Sequence, residues 1–453
     1  MSKTTFLALC AAAAVGVGRL PAASAGARAE TRALRPADQE LARRILADAR
    51  MDKVRAMGLE LLRSGLNAGS GYAEVWIRDL NTFLVPALEA NPPKTVREAL
   101  LSFLHFQGPE GDIPDGYVPA SQAAVAYRYR TSPTRPELRA HKNTVETDQE
   151  SSFVQALASY VRAAGDPQIL EERVRGRSVR ERAVFALEYL FKRRFDARRG
   201  LIWGATTADW GDVQPETPWG VEFDEHSHRA IDIYDNAMLL IAIDDLVQVV
   251  LEGRPALQKQ WTRRRTELAR AVRKHLWDAR RAKFIPHIYL EGSPFPASFD
   301  ENRIFYHGGT AVAVEAGLLS KEETLTAYGQ MLADARLAGA ASIGLTLYPA
   351  YPEGFFKNPS MKPFSYQNGG DWTWFGARMV RGLVQMGLAP EACRALDPML
   401  DRVLKHKGFY EWWSLDNRPR GSGKYRGSAG TLIEAIDALR RWAKGVASDP
   451  AAR

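Results

Sequence analysis

Apolar positions recur along this chain at helical spacing and seldom alternate as they would in strands. Between 255 and 277, Leu257, Trp261, Leu268, Val272 and Leu276 follow steps of four and seven, with Arg, Lys and Gln between them. One apolar stripe on a polar cylinder packs by one side only. Between 231 and 251, Ile233, Tyr234, Ala237, Met238, Leu239, Leu240, Ile241 and Ile243 leave almost no polar face. Such a helix is buried on most sides. The two kinds alternate. Helices are predicted near 38–65, 76–90, 94–106, 146–164, 178–194, 230–251, 255–277, 308–318, 320–336, 368–387, 389–405 and 428–445. Twelve helices paired as one inner and one outer describe an all-α fold, an (α/α)6 toroid of six helical hairpins.

Long loops near 107–145, 195–229, 278–307 and 338–367 join these helices. They are rich in Gly, Pro, Trp, Tyr and acids. Loops of that length without regular structure usually carry function. The expected organisation is one catalytic domain over 37–446, its N-terminal helix packed on it, and a disordered tail over 447–453.

Composition narrows the class. At 45% hydrophobic and 25% charged, the 453 residues exclude a mainly disordered chain, a collagen and a coiled coil. The only long apolar run lies at the start. Lys3, the stretch from Phe6 to Gly18, and Ala23-Ser24-Ala25 read as a secretory signal over 1–25, followed by a linker over 26–36. The run is too short to span a bilayer comfortably. The expectation is export, to the periplasm or outside the cell, with no membrane contact after cleavage. Cleavage removes Cys10, which leaves Cys393 alone and allows no intramolecular disulfide. It also removes Lys3 and Arg19 and no acid, so the formal charge of +8 falls by two to +6. Arg-rich stretches such as Arg263-Arg264-Arg265, followed by Glu267, read as solvated helix faces. No nucleic-acid-binding module is present in the sequence. Nothing in it sets the oligomeric state.

The candidate chemistry sits in a few clusters. Trp76-Ile77-Arg78-Asp79 opens a helix. Arg78 and Asp79 can hydrogen-bond vicinal hydroxyls while the indole covers a sugar face. The same residues also suit a helix-start ion pair over a core Trp. Thr147-Asp148-Gln149-Glu150-Ser151-Ser152 opens an inner helix, where Asp148 is either a cap or a site acid. In Thr206-Thr207-Ala208-Asp209-Trp210-Gly211-Asp212, two carboxylates flank Trp210 and a glycine that permits a tight bend. Desolvation beside aromatic walls raises a carboxyl pKa, as a general acid needs. Gly408-Phe409-Tyr410-Glu411-Trp412-Trp413 sets Glu411 inside four aromatics. Tyr366-Gln367-Asn368-Gly369-Gly370-Asp371-Trp372-Thr373-Trp374 offers the amides of Gln367 and Asn368 and the indoles of Trp372 and Trp374. Two distant carboxylates with aromatics between them make up the inventory of a glycoside hydrolase, and its partner is a carbohydrate substrate.

The tracts YQNGGDWTW, FYEWW and GSAGTLIEAI resemble the C-terminal third of the alkaline/neutral invertases, and more loosely the amylo-1,6-glucosidases, trehalases and related processing glucosidases. WIRD resembles a sugar-binding motif of glucoamylase-like enzymes. The resemblance touches clusters between 72 and 436. It departs where this chain has TDQESSF and FYEWWSLDN, and invertases are usually cytosolic or in organelles whereas this chain reads as exported. The resemblance implies an (α/α)6 barrel and inversion at the anomeric centre. It implies that Glu411 is the base and Asp212 the general acid, with Asp209 the neighbouring candidate. Trp76, Arg78, Asp79, Asp148, Trp210 and Trp412 join the amides and indoles of the 366–374 tract as sugar contacts. The expected activity is O-glycoside hydrolysis with inversion, exo-acting on a short α-linked oligosaccharide or disaccharide.

Three rivals stand beside it. A phosphorylase on the same fold needs a basic phosphate pocket. A polysaccharide lyase uses Tyr or His with Arg or Lys around a uronate. A noncatalytic sugar-binding protein keeps the indoles without needing both carboxylates. His226 and His228 form a His-x-His pair, short of the three or four ligands zinc requires. No metal and no cofactor is expected.

Overall fold

The structure, a computed structural model, describes residues 36–125, 127–218 and 220–448. The expected signal segment, most of the linker and most of the tail lie outside the described residues. Pro36 opens a helix instead of ending a linker, and Ala447 closes one instead of starting a tail.

Thirteen α-helices occur among the described residues. They are α1 (Pro36–Ala47), α2 (Ala49–Arg63), α3 (Ile77–Ala90), α4 (Pro93–His105), α5 (Gln149–Ala164), α6 (Val179–Arg193), α7 (Ile233–Asp245), α8 (Pro255–His275), α9 (His307–Glu315), α10 (Lys321–Ala338), α11 (Thr373–Gln385), α12 (Ala389–His406) and α13 (Arg426–Ala447). The helix expected over 38–65 is two. The Asp48 side chain accepts from Arg50 N at 2.9 Å and caps α2, so the first helix stops there. The helix expected from 368 starts at Thr373. Gly369 takes φ +84°, and Asp371 pairs with Trp413 across an isolated bridge, which holds the chain extended up to the helix.

Helices α3, α5, α7, α9, α11 and α13 form a closed inner ring. Each packs on the next, and α13 returns to α3. Their sequences show why. In α9 every residue from His307 to Val314 is buried, and α7 is buried from Ile233 to Leu240. The outer helices bury one stripe only, as α8 does with Trp261, Leu268 and Val272. Several outer helices start on sharp local signals. Pro93 and Pro255 open α4 and α8, and capping boxes at Ser178–Glu181 and Ser320–Glu323 open α6 and α10. The ring is the (α/α)6 toroid expected from the alternation of the two helix kinds.

All six inner helices begin at one end of the ring. Their capping positions are Trp76, Asp148, Asp232, Tyr306, Trp372 and Tyr425. The long loops lead into these starts and carry short antiparallel strands of two to five residues. Such pieces are too short to show alternation in sequence. One three-stranded sheet joins β1 (Val75–Trp76), β2 (Gly116–Pro119) and β3 (Leu138–His141), with Gly116 opposite both Trp76 and His141. A hairpin pairs Tyr410–Trp413 with Pro419–Gly423 just ahead of α13. No described helix is long and apolar enough to cross a membrane.

Where the ring closes, α13 approaches α3 closely at one glycine. A β-carbon on Gly430 of α13 would press into Phe83 of α3 and lie 2.8 Å from the Thr82 carbonyl oxygen. Backbone on one side cannot give way as a flexible side chain would. Gly430→Ala is expected to destabilise the fold by about 2 kcal/mol through overpacking, read as a lowered midpoint in urea or thermal denaturation. An unchanged midpoint would show that α3 and α13 can part without cost.

Candidate active site

A cavity of about 620 Å³ opens where the inner helices start. Its walls come from the loops ahead of α3, α5, α7, α11 and α13 and from the first turns of α3 and α11. Two of its carboxylates, Asp212 and Glu411, come from loops 199 residues apart in sequence.

Glu411 sits on the hairpin strand Tyr410–Trp413. The register shifts between Tyr410 and Trp412, and this irregularity re-aims the strand. Gly421 on the partner strand has φ +65°, and a side chain there would run into the Glu411 carboxylate. Glycine is thus required opposite the acid. Glu411 Oε1 accepts from the Tyr72 hydroxyl at 2.8 Å, and Oε2 accepts from Ser422 N at 2.7 Å. Burial pushes its pKa above the usual carboxylate range, while these two donors pull it down.

Asp212 is held from across the fold. Gln367 Nε2 donates to Asp212 Oδ1 at 2.7 Å, and Asp212 N donates back to Gln367 Oε1 at 3.2 Å. Asn143 Nδ2 lies 3.4 Å from Oδ2, and Arg78 Nη1 lies 4.0 Å from it. Burial raises the Asp212 pKa; Arg78 and Gln367 oppose that rise. The loop leading to Asp212 is braced behind the cavity. The Tyr306 hydroxyl donates to the Tyr351 hydroxyl at 2.5 Å and lies 3.3 Å from Thr207 O. Tyr351 in turn donates to Glu301 at 2.6 Å.

Arg78 reaches the cavity with its charge already engaged. Its Nε donates to Asp148 Oδ2 at 2.6 Å, and Glu146 lies 3.9 Å from Nη2. The Tyr234 hydroxyl adds a 2.9 Å bond to the same Asp148 oxygen. Beside Arg78, the Asp79 carboxyl is pushed up to about 7 by burial, against the pull of the Tyr425 hydroxyl and of Arg78. The floor is aromatic: the Trp210 ring lies 4.6 Å from Trp372 and 5.6 Å from Trp374, centroid to centroid. Trp76 and Trp412 stand half-buried at the walls.

Of the residues singled out in the sequence, Trp76, Arg78, Asp79, Trp210, Asp212, Gln367, Trp372, Trp374, Glu411 and Trp412 line this cavity. Three do not. Asp148 is fully buried behind Arg78 and serves as its counter-ion. Asp209 does not reach the cavity, which corrects the expectation that it competes with Asp212. Both its oxygens accept from Gly309 N, at 2.9 and 3.1 Å, so it satisfies the start of α9. Asn368 is likewise corrected from a sugar contact to a loop clamp. It accepts from Tyr351 N and donates to the carbonyls of Tyr351 and Met361.

Sequence reasoning passed over Tyr72, Glu74, Asp115, Tyr127 and Tyr425, all cavity-lining. Tyr72 stands four residues before Trp76. Asp115 closes the tight Gly111-Asp112-Ile113-Pro114-Asp115-Gly116 tract, and that density of turn residues and acids was the available signal. Among the described residues no three His, Cys, Asp or Glu side chains converge as a metal site would require. His228 pairs with Glu216 at 2.6 Å instead, and His226 is exposed.

No known family model matches this sequence, and no curated protein matches it. Solved structures do. The GH63 mannosylglycerate hydrolase from Thermus thermophilus, in complex with Tris and D-glycerate, is 18% identical with a TM-score of 0.59, covering 84% of this chain and 99% of that one. Its glucose complex is 16% identical with a TM-score of 0.58 and the same coverage. A rhamnosidase from Klebsiella oxytoca with rhamnose bound is 14% identical with a TM-score of 0.54, covering 85% of this chain and 63% of that one. This chain shares their (α/α)6 toroid. At such identities the likeness is one of fold.

The raised carboxyl of Asp79 has a consequence for stability. In an unfolded chain an aspartate titrates near 3.9. The stability linked to Asp79 is therefore whole below about pH 4 and is lost as pH climbs through about 7, a difference of up to about 4 kcal/mol. Melting temperature is expected to fall between pH 5 and pH 8, and to fall less in Asp79→Asn. Parallel melting curves for the two proteins would mean that Asp79 is ionised throughout.

Proposed function

We propose that this protein is an O-glycoside hydrolase that acts with inversion, Asp212 serving as general acid and Glu411 as general base. The observation that carries the reading is the pair itself: two carboxylates, Glu411 buried and Asp212 half-buried, each fixed by two or more hydrogen bonds and facing one aromatic-floored cavity. The fold shared with glycoside hydrolases supports it.

In this mechanism Asp212 carries a proton and gives it to the leaving glycosidic oxygen. Burial favours that protonated form. Glu411 is ionised, and the Tyr72 hydroxyl and Ser422 amide stabilise its charge. It takes a proton from water, which attacks the anomeric carbon from the opposite face. Such enzymes hold their carboxyls ~6.5–9.5 Å apart to admit that water. Trp76, Arg78 and Asp79 hold the sugar over the floor of Trp210, Trp372 and Trp374. The reading includes exo action on a short α-linked oligosaccharide or disaccharide. Phosphorolysis fits less well, because the one guanidinium lining the cavity among the described residues is neutralised by Asp148.

Release of reducing sugar from a panel of disaccharides and oligosaccharides tests the reading, run with and without phosphate. Turnover is expected without phosphate. Asp212→Asn and Glu411→Gln are each expected to lose about 10²–10⁴-fold in kcat while melting within a few degrees of wild type. NMR of the first product formed is expected to show the inverted anomer. Turnover only with phosphate, or a retained anomer, would overturn it.

We further propose that the chain is exported, with residues 1–25 removed. Fractionation of expressing cells followed by N-terminal sequencing is expected to find a mature chain beginning at Gly26. A chain retained in the cytoplasm with its first residues intact would refute this.

A further inference from the structure

Glu74 and Asp115 are acids that the reaction above does not use. Both line the cavity, and they are only 6% and 2% exposed. Asp115 Oδ2 has no hydrogen-bond partner, and its nearest basic group is His141 Nε2 at 3.7 Å. Glu74 enters no ion pair and no side-chain hydrogen bond with any described residue. An unpartnered carboxylate oxygen withdrawn from water, as Asp115 Oδ2 is, is costly unless a ligand supplies the partner.

Their surroundings are aromatic. His141 stacks on Tyr127 at 4.1 Å between ring centroids, and Trp76 meets the same imidazole edge-on at 5.1 Å. Gly116 lies opposite both Trp76 and His141 in the sheet. After burial itself, the nearby acids Asp115, Asp212 and Glu74 push the Tyr127 phenol upward. Among the described residues five carboxylates line the cavity: Glu74, Asp79, Asp115, Asp212 and Glu411. Against them stands Arg78, already paired with Asp148. The start of α3 does not draw on Asp115's charge either, since Ile77 N donates to the Asp115 backbone carbonyl at 2.8 Å.

We propose that Glu74 and Asp115, with the faces of Trp76 and Tyr127, form a subsite for an ammonium group on the substrate. The favoured substrate is then a glycoside bearing an amine, and glycosides bearing a carboxylate are rejected. The inference deepens the glycosidase reading and rests on it. An ammonium supplies three donors for two carboxylates, and aromatic faces attract cations. A carboxylated ligand such as glycerate meets only repulsion from this wall.

Three small probes of similar size separate the charges: 2-amino-1,3-propanediol, glycerol and D-glycerate. They are titrated calorimetrically into the purified full-length protein in an amine-free buffer. The amine is expected to bind at least 10-fold more tightly than glycerol, and glycerate more weakly than glycerol. Asp115→Asn and Glu74→Gln are each expected to cut the amine's advantage below 3-fold and to leave glycerol within 2-fold. Melting curves confirm that each variant is folded, and either one alone suffices for the comparison. Equal binding of amine and glycerol, tighter binding of glycerate, or a full amine preference in both variants would overturn the subsite. Turnover in the sugar-release assay without an amine preference would remove the subsite and leave the hydrolase. An amine preference without turnover of any glycoside would leave the subsite and remove the hydrolase.

Discussion

Six helix starts pointing at one place impose the constraint on which this structure depends. Each start brings unsatisfied N–H groups and a partial positive charge. Packed in a ring with their starts at one end, the inner helices concentrate both beneath the cavity. Acidic and aromatic side chains at the capping positions and in the preceding loops answer that demand. Asp209 does so for α9 and Asp232 for α7, through Gly309 N and Asp235 N. Asp148 caps no backbone group and answers through Arg78 instead. A ring built this way gathers carboxylates at one end before any substrate is considered.

The gathering has an electrostatic cost. Burial raises Asp79 and Asp212, and beneath them Glu146 and Asp235 are raised as an interacting pair. Part of the acid cluster is thus protonated near neutrality. That is useful where a proton must be given away and costly for the stability of the fold. Arg78 limits the cost. One guanidinium placed among Asp148, Glu146 and Asp212 serves three acids.

The fold was legible because the inner and outer helices differ in a property that sequence displays directly. The all-apolar α7 and the single stripe of α8 announce their places in the ring. Asp48 was harder: one capping side chain inside a continuous helical pattern divides α1 from α2, and periodicity does not register it. At the site, Glu411 and Asp212 stood out because acids among aromatics and glycines are conspicuous. Asp209 and Asn368 stood out for the same reason and turned out to hold backbone. The residue type was right, but the facing direction is set by tertiary contacts. Tyr72 and Glu74 were illegible because their significance lies in partners more than 300 residues away or in the absence of any partner among the described residues.

The contact between Tyr72 and Glu411 also fixes an order of events in the making of the protein. The hydroxyl that steadies Glu411 precedes the first helix of the ring, while the acid itself lies on the hairpin before the last one. A chain emerging from the ribosome holds Arg78, Asp148 and Asp212 well before it holds Glu411, and α13 must then fold back onto α3 to shut the ring. A partly made chain therefore has half of the carboxylate pair and an open wall. The cavity gains its last wall only when the hairpin carrying Glu411 and the helix after it have joined α3.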